Sequence, residues 1–119
     1  MLAEKIREHD ARVWLVNTGW SGGPYGVGEH FSLKYTRAIV DAIQAGQLDD
    51  ALVQRDVRFG FGVLTACPGV PAEPMVPKQV WADALAYEAQ ANHLAEFFKA
   101  NFVQFEEGTV EAVKQAGPA

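Results

Sequence analysis

Five of the chain's eleven glycines fall within one eleven-residue stretch, Thr18-Gly19-Trp20-Ser21-Gly22-Gly23-Pro24-Tyr25-Gly26-Val27-Gly28. Glycine reaches positive φ and lets backbones approach closely, so this stretch predicts a long, shaped loop. A loop of this kind after a strand can turn its backbone N–H groups toward an anion. No Gly-Lys-Ser/Thr follows the glycines, which excludes a Walker A loop. Two readings therefore stand side by side. One is a ligand-facing loop, the other a structural turn packed by Trp20 and Tyr25.

The flanks suggest an α/β arrangement. Leu2 to Asp10 is charged and reads as a short helix or the tail of a longer one. Residues 12–17, Arg-Val-Trp-Leu-Val-Asn, carry four consecutive apolar residues and predict a buried strand. Together they point to an α/β or mixed sheet. Phe31, Ser32 and Leu33 read as a short strand. Thr36 then N-caps a helix running to Ala45, with Ile39, Val40 and Ile43 on one face and Gly46 at C′. Leu52-Val53 is a candidate strand, and Phe59 to Leu64 alternates with glycine as a strand in a tight space does. Cys67 to Pro71 and Glu73 to Pro77 predict an extended, proline-rich connection with no regular helix. From Val80 to about Glu106, Trp81, Leu85, Tyr87, Ala91, Leu94, Phe98 and Phe102 or Phe105 recur near helical spacing. That predicts one long amphipathic helix, its aromatic stripe serving as core or docking surface rather than as a cofactor box. The tail after Gly108 reads as a short or frayed helix.

With 119 residues the chain is expected to form a single unit, residues 1–119. A formal charge of −5 argues against nucleic acid and an anionic membrane surface as partners. Cys67 is the single cysteine, so neither an intrachain disulfide nor an all-cysteine zinc site can form. It reads as a small buried hydrophobe in a reducing, cytoplasmic compartment. His9 and His93 read as surface or satisfied histidines. No secretory signal and no apolar run of about 20 residues is visible.

The run from Val13 through Gly28 resembles the C-terminal region of ATP-dependent phosphoenolpyruvate carboxykinase. The likeness continues through Ser32 to Ala38, Leu48-Asp-Asp50, Cys67 to Pro71 and Trp81 to Asp83. It ends in the long helix up to Phe105. The resemblance implies part of a carboxykinase-like C-terminal mononucleotide-binding domain, with a mixed sheet and a long C-terminal amphipathic helix. The family converts oxaloacetate and ATP into phosphoenolpyruvate, ADP and carbon dioxide, with Mg²⁺ and Mn²⁺. Its phosphate-binding loop, its metal-binding Lys, His and Asp, and its oxaloacetate-binding arginines lie upstream of the matching region. The implied role is therefore the base and ribose side of the ATP pocket, with nucleotide-binding positions at His30, Phe31 and Thr36. No catalytic residue and no metal ligand is implied here, and the chain alone is expected to be inactive. The start at Met1, inside what the resemblance makes the middle of a domain, suggests a fragment or split gene.

Two departures from the family pattern stand out. The family usually carries Lys-Arg after Gly-Val-Gly, where this chain has Glu29-His30. Arginine offers a planar, permanently charged face to a base, and a neutral histidine loses much of that charge. Val76-Pro-Lys-Gln-Val-Trp81 replaces a usual Asn-Pro-Arg-Asn-Thr-Trp, which reads as drift or changed packing. Expected partners are ATP and either the missing remainder of the enzyme or a self-associating copy. The alternative function is a stand-alone, non-catalytic interaction or nucleotide-sensing domain that reuses the fold.

Overall fold

The computed structural model describes residues 2–119. Helix α1, Leu2–His9, is followed by a segment that forms no strand. A two-residue ladder then joins β1, Trp20–Ser21, to β2, Glu29–His30. Helix α2 spans Leu33–Gln44, and a second antiparallel pair joins β3, Val53–Arg55, to β4, Gly62–Leu64. A 3-10 turn at Glu73–Met75 leads to α3, Pro77–Val80, then α4, Ala84–Phe102, a 3-10 turn at Val103–Phe105 and α5, Glu111–Lys114.

Several expectations are corrected. In place of one mixed sheet, the described residues form two separate two-stranded antiparallel sheets. Residues 12–17 do not form a buried strand. A strand needs a hydrogen-bonding neighbour, and no described segment pairs with this one. Trp14 packs on the core, but Val13, Leu15 and Val16 are exposed. The strand expected at 31–33 lies earlier, at Glu29–His30, and Leu33 already belongs to α2.

The long helix is also broken. Asp83 adopts an extended backbone, and its Oδ1 accepts from the Leu85 N–H at 2.8 Å and the Ala86 N–H at 3.2 Å. Asp83 is thus the N-cap of α4 and forces a fresh start after α3. Pro77 sits at the first turn of α3, where its missing N–H costs nothing. The α-helical turn thus begins at Pro77, the last residue of the proline-rich connection, which itself holds a 3-10 turn at Glu73–Met75.

Helix α2 starts with Ser32, not Thr36, in the N-cap position. Thr36 lies inside the helix, and its amide donates to the Ser32 carbonyl at 3.0 Å. The other end matches expectation. Gly46 has φ +69°, a conformation that costs an L side chain dearly. With it, the Gly46 N–H donates to the Ile43 carbonyl at 3.1 Å and the Gln47 N–H to the Ala42 carbonyl at 3.0 Å. These two bonds close a Schellman motif. It turns Leu48 back onto Ala42.

Ala42, Leu48 and Cys67 form the centre of the core, with Trp14, Ile39, Ile43, Ala51, Leu64, Val70 and Met75 packed around them. Val40, expected on the same face, is largely outside it. Burial pushes the Cys67 thiol pKa up, so the group stays neutral and acts as a small hydrophobe.

This core is thin for the chain. The accessible surface is 9149 Å², against about 6,300 Å² for a compact monomer of this mass. The radius of gyration is 16.0 Å, where a compact domain of this length has about 13.5 Å. On α4 only Ala91 and Ala95 are buried, while Leu85, Leu94, Phe97 and Phe98 are exposed. The aromatic stripe is therefore core only in part: Ala91 is buried and Phe98 meets Phe59 edge-on at 6.3 Å between centroids, while Leu85 and Leu94 stay exposed.

A polar clamp ties the β3–β4 hairpin to the helices. Glu88 on α4 accepts from Arg58 Nη2 at 2.8 Å and from Lys78 Nζ at 2.6 Å, and Arg58 also bonds Asn92. These two cations hold the Glu88 carboxyl below its ordinary pKa. A group lowered on folding stabilises the fold above its unfolded pKa, and the gain disappears as pH falls through the folded value. Glu88→Gln is therefore expected to lower the melting temperature at pH 7, with the difference from wild type shrinking in strongly acidic buffer. A difference that is independent of pH would contradict the clamp.

Candidate functional site

The glycine-rich stretch forms the loop of the β1–β2 ladder. Trp20 pairs with His30 and Ser21 with Glu29. The Phe31 N–H donates to the Gly19 carbonyl at 2.9 Å and extends the closure below the ladder. Inside the loop, the Val27 and Gly28 N–H groups both donate to the Pro24 carbonyl at 3.0 Å. Those two donors serve the turn itself and are not turned toward an anion. Trp20 meets Tyr25 edge-on, with ring centroids 5.1 Å apart. The structural role of the loop is thus visible, and it also builds one wall of a cavity.

That cavity measures about 420 Å³ and lies between the loop, the start of α2 and the 74–80 connection. Glu29, His30, Phe31 and Tyr35 line it, together with Pro74 and Val80 from the connection. Its size lies in the ordinary range for small-molecule sites. Two of the three expected positions, His30 and Phe31, border it. Phe31 makes an edge contact with Tyr35 at 6.0 Å between centroids.

Thr36 does not border the cavity. It follows Tyr35 in α2, and its Oγ1 donates to the Ser32 carbonyl at 3.2 Å. With its proton used there, the hydroxyl retains acceptor lone pairs only.

Tyr35, Pro74 and Val80 were not legible as lining residues. Tyr35 could have been found once α2 is begun at Leu33, since the helix start then lies beside Phe31. Pro74 and Val80 come from a distant part of the sequence, and no local pattern announces that contact.

The electrostatics of the cavity are not those of a phosphate site. Glu29 is the charged side chain on its lining, alongside His30 and Tyr35. Lys34 and Arg37 lie on exposed positions of α2, outside the lining. Among the described residues, no three His, Cys, Asp or Glu side chains converge to hold a metal. The cavity lining combines apolar residues with hydrogen-bonding ones.

The phosphoenolpyruvate carboxykinase profile matches residues 1–73, more than half of the chain. The chain belongs to the phosphoenolpyruvate carboxykinase family. It is 49% identical over 118 residues to "Phosphoenolpyruvate carboxykinase (ATP)" of Rubrobacter xylanophilus. It is 50% identical over 118 residues to the protein of that name from Thermus thermophilus. It is 48% identical over 118 residues to "Phosphoenolpyruvate carboxykinase (ATP) 2" of Salinibacter ruber. In each comparison 99% of this chain is covered but 22% of the relative. The carboxykinase chain described here thus spans about a fifth of the length of the curated relatives it matches. Among the described residues, no helix is long and apolar enough to cross a membrane.

Proposed function

We propose that this chain supplies the adenosine side of the ATP pocket in a phosphoenolpyruvate carboxykinase (ATP). The whole enzyme would convert oxaloacetate and ATP to phosphoenolpyruvate, ADP and carbon dioxide, in the cytoplasm and in gluconeogenesis. The carrying observation is the cavity under the glycine-rich loop, where His30 and Phe31 meet. In this reading His30 offers a ring to the base and Phe31 an apolar wall. Thr36, outside the cavity lining, has no contact with the nucleoside in this reading. Glu29 stays on the rim, where its charge works against a polyanion.

The chemistry of phosphoryl transfer rests on positioning and on charge stabilisation at the phosphates. The cavity offers neither, so the chain by itself orients the nucleoside and does no more. Phosphate and metal groups come from the remaining polypeptide of the enzyme, which is also the proposed partner. That partner covers Val13, Leu15 and Val16 and the exposed aromatic side of α4. Residues 1–119 are then one unit of the C-terminal mononucleotide-binding domain. No observation favours the stand-alone interaction or sensing domain.

The double substitution Glu29→Lys with His30→Arg tests the assignment. It replaces one negative charge by positive ones at the rim, where a favourable exposed pair contributes up to about 1 kcal/mol. ATP affinity, followed by calorimetry on the 119-residue chain, is expected to rise about threefold to tenfold. No binding by either chain at millimolar ATP, or equal binding by both, would overturn it.

A further inference from the structure

We infer that Trp20 is a positioning residue of this site, holding the imidazole of His30 as a flat platform for a purine base. The inference rests on the adenosine reading above. Trp20 does not border the cavity, whereas His30 does. The two are direct partners in the β1–β2 ladder. Residues paired in this way project to the same face of an antiparallel ladder. Their ring centroids lie 4.2 Å apart, with planes inclined by 33°. One face of the imidazole is therefore covered by the indole, and the other is the one available to the cavity.

Tyr25 braces the arrangement from behind. Its ring meets Trp20 nearly perpendicularly, at 84°. Tyr25, Trp20 and His30 form a series of three rings leading from the loop tip to the cavity wall. An exposed histidine by itself rotates freely, and a ligand that stacks on it must first order it. Packing against Trp20 makes that ordering a property of the folded chain, which lowers the cost of binding. The recognised class is a base with a broad π-face, because stacking gain grows with ring overlap. A purine fits that description better than a pyrimidine.

The test uses four versions of the 119-residue chain: Trp20→Leu, Trp20→Phe, His30→Ala, and Trp20→Leu combined with His30→Ala. In the ligand-free wild type, ring currents from Trp20 shift the His30 ring protons upfield in NMR spectra. Trp20→Leu abolishes that shift and weakens ATP about threefold to tenfold. Trp20→Phe retains most of both. In the His30→Ala background, Trp20→Leu has no further effect on ATP, because the pair acts as one unit. A loss of affinity that is equally large with and without His30 would mark Trp20 as merely structural and overturn the inference. So would unshifted His30 protons in the wild type. ATP binding that is absent from the wild type would instead remove the adenosine reading itself, and this inference with it.

Discussion

Gly28→Ala is expected to open the β1–β2 loop and abolish measurable ATP binding. A Cβ at position 28 falls 2.5 Å from the Ser21 carbonyl oxygen, 2.7 Å from the Gly23 oxygen and 2.9 Å from the Gly23 nitrogen. All three are backbone atoms, so no side chain can swing aside to make room. The pairing of Ser21 with Glu29 has to yield, and with it the placement of His30 on the cavity. Overpacking of this kind typically costs about 1–3 kcal/mol. Here the strain falls on a ladder of two residue pairs, so local opening is the expected response. Gly19→Ala is the matched control, since a Cβ there meets only the Asn17 side chain, at 3.5 Å. Amide exchange at Phe31, whose N–H is bonded to Gly19, reads the opening directly. Fast exchange in Gly28→Ala and slow exchange in Gly19→Ala is the predicted pair of results. Unchanged exchange and unchanged ATP binding in Gly28→Ala would contradict the account.

The second large effect concerns stability. Leu48→Ala removes the one large aliphatic side chain among the buried core residues, where Leu48 is 3% exposed between Ala42 and Cys67. Deletions of this type cost about 2–5 kcal/mol, depending on how far the site can collapse. The upper part of that range is expected here in relative terms, because few other residues are buried and native stability is itself small. Leu48→Met keeps the volume and is expected to cost less than about 1.5 kcal/mol. Urea denaturation followed by tryptophan fluorescence is a suitable measure, since Trp14 packs on the same cluster. Similar midpoints for Leu48→Ala and wild type would show that this cluster does not hold the chain together.

Local signals in the sequence led to the right local structures wherever short-range chemistry decides. The loop from Thr18 to Gly28, the Gly46 stop of α2, the α1 helix and a strand at Val53 all follow from residue type and near neighbours. Caps were harder. Ser32 and Thr36 are both good N-cap residues, and Asp83 was hidden inside an apparently continuous period. Asp83 satisfies two backbone N–H groups, a demand about which periodicity is silent, whereas Ser32 holds the N-cap position without a side-chain bond. The strand expected at 12–17 failed for a different reason. Its apolar run describes a segment suited to burial on both faces, and no described segment pairs with it. Leu85, Phe97 and Phe98 on α4 are likewise exposed.

For the site, composition alone gave a loop, and the family resemblance gave positions. His30 and Phe31 border one cavity; Thr36 is close in sequence but bonded back to Ser32. The contribution of Pro74 and Val80 is a tertiary contact and has no local signature. Trp20 had one: a ladder closing around the glycine run puts it opposite His30.

Titration of ATP into the isotopically labelled 119-residue chain bears most directly on the adenosine assignment. Amide shift changes concentrated from Gly28 to Thr36 and at Val80, saturating with ATP, are the predicted result. Changes centred on α4 or the β3–β4 hairpin, or none up to millimolar ATP, would contradict it.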